Sequence, residues 1–264
     1  MSHLELPDCR LFYQVDDYTD PWSRAEPILF VHGFAECTEA WRAWVPHVSR
    51  RYRMIRFDQR GFGQSGPVPA DFSYSSEGLV DDLVRIINHV AGEPVHLVAG
   101  KSGGFSSMVL AATRPDLLKT LTLCCSPHEP PKVDAWPELM ASKGMRHWAR
   151  QTMRSRLGSK IPERGIDWWV DMMGATAVST AQAYMRWVPT VNVADHIPQI
   201  SCPTLVIGTD TPWRGRSEYE QWQPRIRNSE LKILPIDGYH ASGTNPDETA
   251  ALTLDFIARQ GAPR

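Results

Sequence analysis

No apolar run in this 264-residue chain approaches the ~20 residues that a bilayer-spanning helix needs, so a transmembrane helix is not expected. The start of the chain, Met1-Ser-His-Leu-Glu-Leu-Pro-Asp8, has no basic stretch followed by an apolar one, and no signal peptide is expected. An excess of either charge is also missing. With 28 Lys and Arg against 30 Asp and Glu the net charge is −2, which argues against a nucleic-acid or membrane-surface binder. Cysteine is sparse: the five (Cys9, Cys37, Cys124, Cys125 and Cys202) are scattered and form no C-x-x-C pair, so neither zinc nor dithiol chemistry is indicated. Cys124 and Cys125 lie together in an apolar stretch and read as small buried hydrophobes. A reducing cytoplasm is the expected compartment. Internal repeats and low-complexity tracts are absent as well.

What is present is an alternation of short apolar runs with helical patterns. Residues 27–31, 52–57, 118–125, 203–207 and 231–236 read as strands, and Leu4–Val15 as an edge hairpin. Residues 38–50, 75–90 and 247–259 read as helices, the second with Leu79, Leu83, Ile86, Ile87 and Val90 on one face. Strands alternating with helices predict an α/β fold, a mostly parallel sheet covered on both faces. Residues 128–198 break the rhythm. They carry several methionines and five tryptophans, with no convincing strand. They read as a helical insertion over the sheet, whose large apolar side chains serve as core or line a pocket.

The most informative segment is Gly100-Lys-Ser-Gly-Gly104, between the apolar run 94–99 and a helical pattern from Phe105. A strand turning through G-x-S-x-G into a helix is a nucleophile elbow. This reading places Ser102 in the strained position and makes the flanking glycines the sites where a side chain would collide. A competing motif, Gly61-Phe-Gly-Gln-Ser-Gly66, matches the dinucleotide fingerprint. That fingerprint needs a helix beginning at its last glycine, and Pro67-Val-Pro69 prevents one, so a tight loop is expected and no cofactor.

Acyl transfer by a serine needs a base, an orienting acid and oxyanion donors, with the acid and then the histidine following the serine in the chain. Of nine histidines, His240 has the right order and a place in a strand-end loop. Asp210, just after the strand at 203–207, is the expected acid, with Glu129 as its rival. The expected oxyanion donors are the amides of Phe34, in the loop His32-Gly33-Phe34, and of Gly103.

His32-Gly33-Phe34, Asp58-Gln-Arg-Gly-Phe-Gly-Gln-Ser65, Gly100-Lys-Ser-Gly-Gly104, Pro203-Thr-Leu-Val-Ile207 and Gly238-Tyr-His240 together resemble the α/β-hydrolase fold superfamily. The resemblance implies an eight-stranded sheet, a core of residues 1–127 and 199–264, a cap at 128–198, and the triad Ser102, His240 and Asp210. Two positions depart from it. The usual acid position, three residues after Gly208, holds Thr211, and Lys101 stands where histidine, glutamine or an aromatic is more usual.

The activity expected is hydrolysis of a small ester, lactone or related acyl compound, without metal or cofactor. Carbon–carbon hydrolysis of a β-diketone-like compound, cofactor-independent oxygenation and non-catalytic ligand reception stay open. Lys101, Trp136, Trp148, Trp168 and Trp187 are the expected pocket residues. An anionic substrate is one reading of Lys101 and of the Arg146, Arg150 and Arg154 row. Solvated cations are the other.

Overall fold

The computed structural model describes residues 2–133, 135–212 and 214–261. Eight strands form one sheet in the order β1-β2-β4-β3-β5-β6-β7-β8. They are β1 (Ser2–Glu5), β2 (Arg10–Asp16), β3 (Pro27–Val31), β4 (Arg53–Phe57), β5 (Val95–Gly100), β6 (Leu118–Cys124), β7 (Thr204–Thr209) and β8 (Ser229–Leu234). β3 to β8 run parallel, and β1 and β2 pair antiparallel at one edge. Every residue of β3, β5 and β7 is buried. That is why these segments read as unbroken apolar runs: helices cover both faces of the sheet.

Between the strands lie α1 (Val45–Val48), α2 (Ser76–Ile86) and α3 (Gly103–Thr113). α2 begins where the sequence predicts, because the Ser75 hydroxyl accepts the Gly78 N–H at 3.0 Å. The helix predicted at 38–50 is instead a 3-10 segment (Thr38–Trp44) running into the single turn of α1, with Pro46 near its start. Three helices separate β6 from β7: α4 (Trp136–Leu157, kinked at Gly144), α5 (Glu163–Gly174) and α6 (Val178–Trp187). The chain closes with α7 (Arg216–Trp222), α8 (Ala241–Thr244) and α9 (Pro246–Gly261).

The competing glycine motif is a tight loop. It makes one 3-10 turn at Gly63–Ser65, and no helix begins before Ser76. The Asp58 carboxylate ties it down, accepting the Gln64 N–H at 2.7 Å and the Thr38 N–H at 2.6 Å.

One feature of the topology positions the site. From β3 the chain passes to β4 on one side, then returns to β5 on the other. The loops leaving β3 and β5 therefore diverge and leave a crevice at their carboxyl ends, the usual ligand position in a parallel sheet. Residues 32–36 and 101–103 meet there.

Candidate active site

The turn after β5 is an elbow, but its apex is not the serine. Lys101 has φ +51°, the left-handed region that a side chain enters only at a cost, whereas Ser102 is helical at φ −67°, ψ −15°. The close approach comes two residues after the apex. A Cβ on Gly103 would lie 2.4 Å from the His32 carbonyl oxygen and 2.9 Å from that of Val31. A Cβ on Gly100 would meet side-chain atoms alone, the Trp41 ring at 3.3 Å and Ser242 Oγ at 3.6 Å. The elbow is thus Ala99-Gly100-Lys101-Ser102-Gly103, one residue earlier than the G-x-S-x-G reading. Ala99 and Gly103 are as small as Gly100 and Gly104, so the pattern alone does not choose between the two frames.

Ser102 lies one step past the apex and faces the β3 loop. Its Oγ accepts the Phe34 N–H at 2.9 Å, and the Tyr184 hydroxyl lies beside it. Phe34 therefore stands at the site, with its amide engaged by Ser102 Oγ. Gly103 is pressed against the β3 backbone, and the residue that follows the apex is Ser102. His32, fully buried, is scaffolding: its Nε2 accepts the Gln59 N–H at 2.9 Å, so the ring proton sits on Nδ1 and is donated to the Gly33 carbonyl at 2.7 Å.

The Lys101 ammonium forms an ion pair with Glu36, Nζ to Oε1 2.9 Å, and lies 5.8 Å from the centre of the Trp169 ring. Gly33 makes room for the lysine stem, since a Cβ there would come within 2.9 Å of Lys101 Cε. The other Glu36 oxygen accepts the Gly33 N–H at 2.9 Å. His240 is 1% exposed, with Nδ1 3.7 Å from Glu36 Oε1 and its ring edge-on to Trp169. Burial, and then the Lys101 and Arg156 charges, hold its pKa well below the ordinary histidine value, so the imidazole is neutral.

The structure does not assemble the expected triad. His240 makes no side-chain hydrogen bond to Ser102 among the described residues, and its Nδ1 has no hydrogen-bond partner. Asp210 is exposed, and its carboxylate accepts the Arg216 N–H at 2.9 Å, as a cap for α7. Glu129 is also exposed and lies 3.6 Å from His128. Thr211, at the usual acid position, closes a local turn with Arg214. Among the described residues Glu36 is the one carboxylate within 4.0 Å of His240. Sequence order cannot reveal it, because Glu36 precedes the elbow rather than following it.

The roof comes from α4, α5 and α6. Trp148 and Tyr184 pack on Phe34, with ring centres 5.4 and 5.0 Å away. Trp136 packs on Trp148, and Trp187 on Tyr184. Trp168 lines a cleft of about 390 Å³ together with Glu36, Cys37, Glu39, Asp171 and Met172. Its neighbour Trp169, not anticipated as a pocket residue, touches both His240 and Lys101. Arg146, Arg150 and Arg154 are exposed. They pair with Asp171, Asp167 and Glu163, a matching four-residue row on α5. The interior cation is Arg156, 4% exposed and stacked over Trp148 (4.4 Å) and Trp136 (5.0 Å). Its Nε has no hydrogen-bond partner, and among the described residues no carboxylate pairs with it.

The family model for the alpha/beta hydrolase fold matches residues 26–157, half of the chain. The protein belongs to the α/β-hydrolase fold family. This α/β-hydrolase is 26% identical over 195 residues to (E)-2-((N-methylformamido)methylene)succinate hydrolase of Acinetobacter baylyi, covering 71% of this chain and 73% of the relative. It is 25% identical over 260 residues to 2-hydroxy-6-oxo-6-(2'-aminophenyl)hexa-2,4-dienoic acid hydrolase of Metapseudomonas resinovorans, covering 90% and 86%. Its fold superposes on the enol-lactonase of Burkholderia xenovorans with a TM-score of 0.88 at 18% identity, covering 97% of this chain and 100% of that one. Relatives of this kind are enzymes, and the chain is an enzyme of the same family.

This α/β-hydrolase thus carries a lysine at the elbow apex, a neutral histidine, a carboxylate between them and a backbone donor opposite. Among the described residues no group of three His, Cys, Asp or Glu could hold a metal ion, and no helix is long and apolar enough to cross a membrane.

Proposed function

We propose that this α/β-hydrolase hydrolyses a small ester, lactone or related acyl substrate by direct attack of water, with Lys101 in place of the nucleophilic serine. The observation that carries this reading is the left-handed backbone of Lys101 at the elbow apex. An acyl group transferred to a lysine would be an amide, far slower to hydrolyse than an ester, so Lys101 is no substitute acyl carrier. Its ammonium, paired with Glu36, and the Phe34 N–H, donated to Ser102 Oγ, would turn to the developing oxyanion when substrate binds. Glu36 Oε1, 3.7 Å from His240 Nδ1, favours the tautomer with the proton on Nδ1, which would leave the Nε2 lone pair as the base. Water gives its proton to Nε2 as its oxygen adds to the carbonyl carbon. His240 then returns that proton to the leaving oxygen as the tetrahedral intermediate collapses.

The unpaired, buried Arg156 guanidinium supports a substrate that carries a carboxylate, because a buried cation without a partner is costly until an anion completes it. The indole and methionine side chains of residues 128–198 support a cap over the cleft. The five free thiols support a cytoplasmic enzyme.

A fluorophosphonate probe tests the reading. Ser102 is expected to stay unlabelled, and Lys101→Ser to become labelled at position 101 in a His240-dependent way. Turnover of p-nitrophenyl acetate is expected to survive Ser102→Ala and to be lost in His240→Ala. Labelling at Ser102 that disappears in His240→Ala would restore the serine as nucleophile.

A further inference from the structure

We infer that Lys101 forms an imine with ketone or aldehyde carbonyls that enter the cleft, an activity separate from ester hydrolysis. The inference rests on the reading above only in taking this cleft as the place where a substrate carbonyl binds. Three observations carry it. The first is position: Lys101 holds the apex, where the fold presents its reactive side chain to the crevice. The second is a proton acceptor. Glu36 Oε1 lies 2.9 Å from the ammonium, and the same glutamate lines the cleft of about 390 Å³, so Lys101 stands one carboxylate behind the cleft wall. The third is shelter. The lysine side chain is 12% exposed, beneath Trp169 and against Gly33.

The chemistry balances without any further reagent. Glu36 takes a proton from the ammonium, and the amine nitrogen adds to the carbonyl carbon. The protonated Glu36 returns its proton to the carbinolamine oxygen, which departs as water and leaves an iminium. The sum is one ammonium and one carbonyl converted to one iminium and one water. Where the substrate is a 1,3-dicarbonyl, the iminium is an electron sink. His240 takes a proton from a water that adds to the second carbonyl. The carbon–carbon bond breaks, its electron pair moves to the iminium to give an enamine, and a carboxylic acid leaves. Protonation at carbon and hydrolysis by a second water release the ketone and regenerate Lys101. Ester hydrolysis gives the lysine no such covalent part.

Pentane-2,4-dione is the probe, since it condenses with an amine to an enaminone, seen as a new near-ultraviolet absorbance and located by peptide mass spectrometry. With the full chain the enaminone is expected at Lys101 about tenfold faster than at Lys119, Lys132, Lys143, Lys160 or Lys232. The fast phase should vanish in Lys101→Arg. It should slow by about a hundredfold in Glu36→Gln, with the other lysines unchanged. Modification of Lys101 no faster than of the other lysines overturns the inference, and the unmutated protein alone decides this if a variant does not fold. Ester turnover without a fast enaminone phase would leave the hydrolase reading standing and this one refuted. A fast phase at Lys101 without turnover of any ester would do the reverse.

Discussion

Replacing Gly103 with alanine tests the frame of the elbow directly. If Ser102 were the apex, the glycines two positions to either side, Gly100 and Gly104, would be the constrained ones. Gly104 is tight against Ser126 in either frame, so the contrast lies between Gly100 and Gly103, where an added Cβ meets two backbone oxygens, at 2.4 and 2.9 Å. Neither oxygen can rotate away, because both are backbone, of Val31 at the end of β3 and of His32 just after it. Overpacking of this kind costs about 1–3 kcal/mol and more where backbone must move. Alanine recovers at most about 1 kcal/mol of helix propensity at the start of α3. A net loss of about 2 kcal/mol is expected. Gly100→Ala meets the Trp41 ring edge at 3.3 Å and Ser242 Oγ at 3.6 Å, both side-chain atoms, and removes a strand glycine, so its net effect should stay below about 1 kcal/mol. Urea unfolding followed by tryptophan fluorescence measures both. At a slope of about 2 kcal/mol per molar, Gly103→Ala should lower the midpoint by about 1 M, while Gly100→Ala leaves it nearly fixed. Equal midpoints for the two variants, or a larger drop for Gly100→Ala, would refute the Lys101 frame.

His240, His32 and His96 are all held below the ordinary histidine pKa, chiefly by burial. Between the folded and unfolded values the unfolded chain binds more protons. Stability is therefore full above the unfolded value near 6.5 and falls as pH drops below it, by up to about 1.4 kcal/mol per pH unit for each histidine. Equilibrium unfolding at pH 5 and pH 7.5 checks the sign, and the acid limb of kcat should lie well below pH 6.5. Arg156→Met should lower kcat/KM for a carboxylated ester by about tenfold or more, and leave a neutral ester of the same size nearly unchanged. Arg150→Ala, which breaks an exposed pair with Asp167, should change stability by less than about 1 kcal/mol and leave KM unaltered. Asp210→Asn should keep turnover within about twofold, because that carboxylate caps α7 and does not orient the imidazole; a drop of about a thousandfold would reinstate it as the acid.

The fold was legible because its signals are local. Wholly apolar runs such as Pro27–Val31 report a strand buried on both faces, and Ser75 marks the start of a helix. Their alternation leaves little choice of topology. The place of His240, in the loop after the last strand, was legible for a similar reason. The frame of the elbow was not. Small residues at 99, 100, 103 and 104 satisfy two overlapping patterns, and the choice depends on which Cβ would strike β3, a contact between residues about 70 positions apart. Glu36 escaped because it precedes the elbow, and its partners Lys101 and His240 reach it only through the fold; Arg156 escaped because its significance lies in the carboxylate it lacks. A chain read in order shows Arg146, Arg150 and Arg154 as a basic row, but not that α5 neutralises it. It does not show that Arg156, two residues beyond that row, turns inward between two indoles. The two departures from the family pattern, Thr211 and Lys101, were both visible at the outset. Under the mechanism proposed they amount to one change: with a lysine at the apex no serine alkoxide is made, and His240 needs no carboxylate behind it to drive acyl transfer. Glu36, which touches both the lysine and the histidine, then couples the two protons that matter.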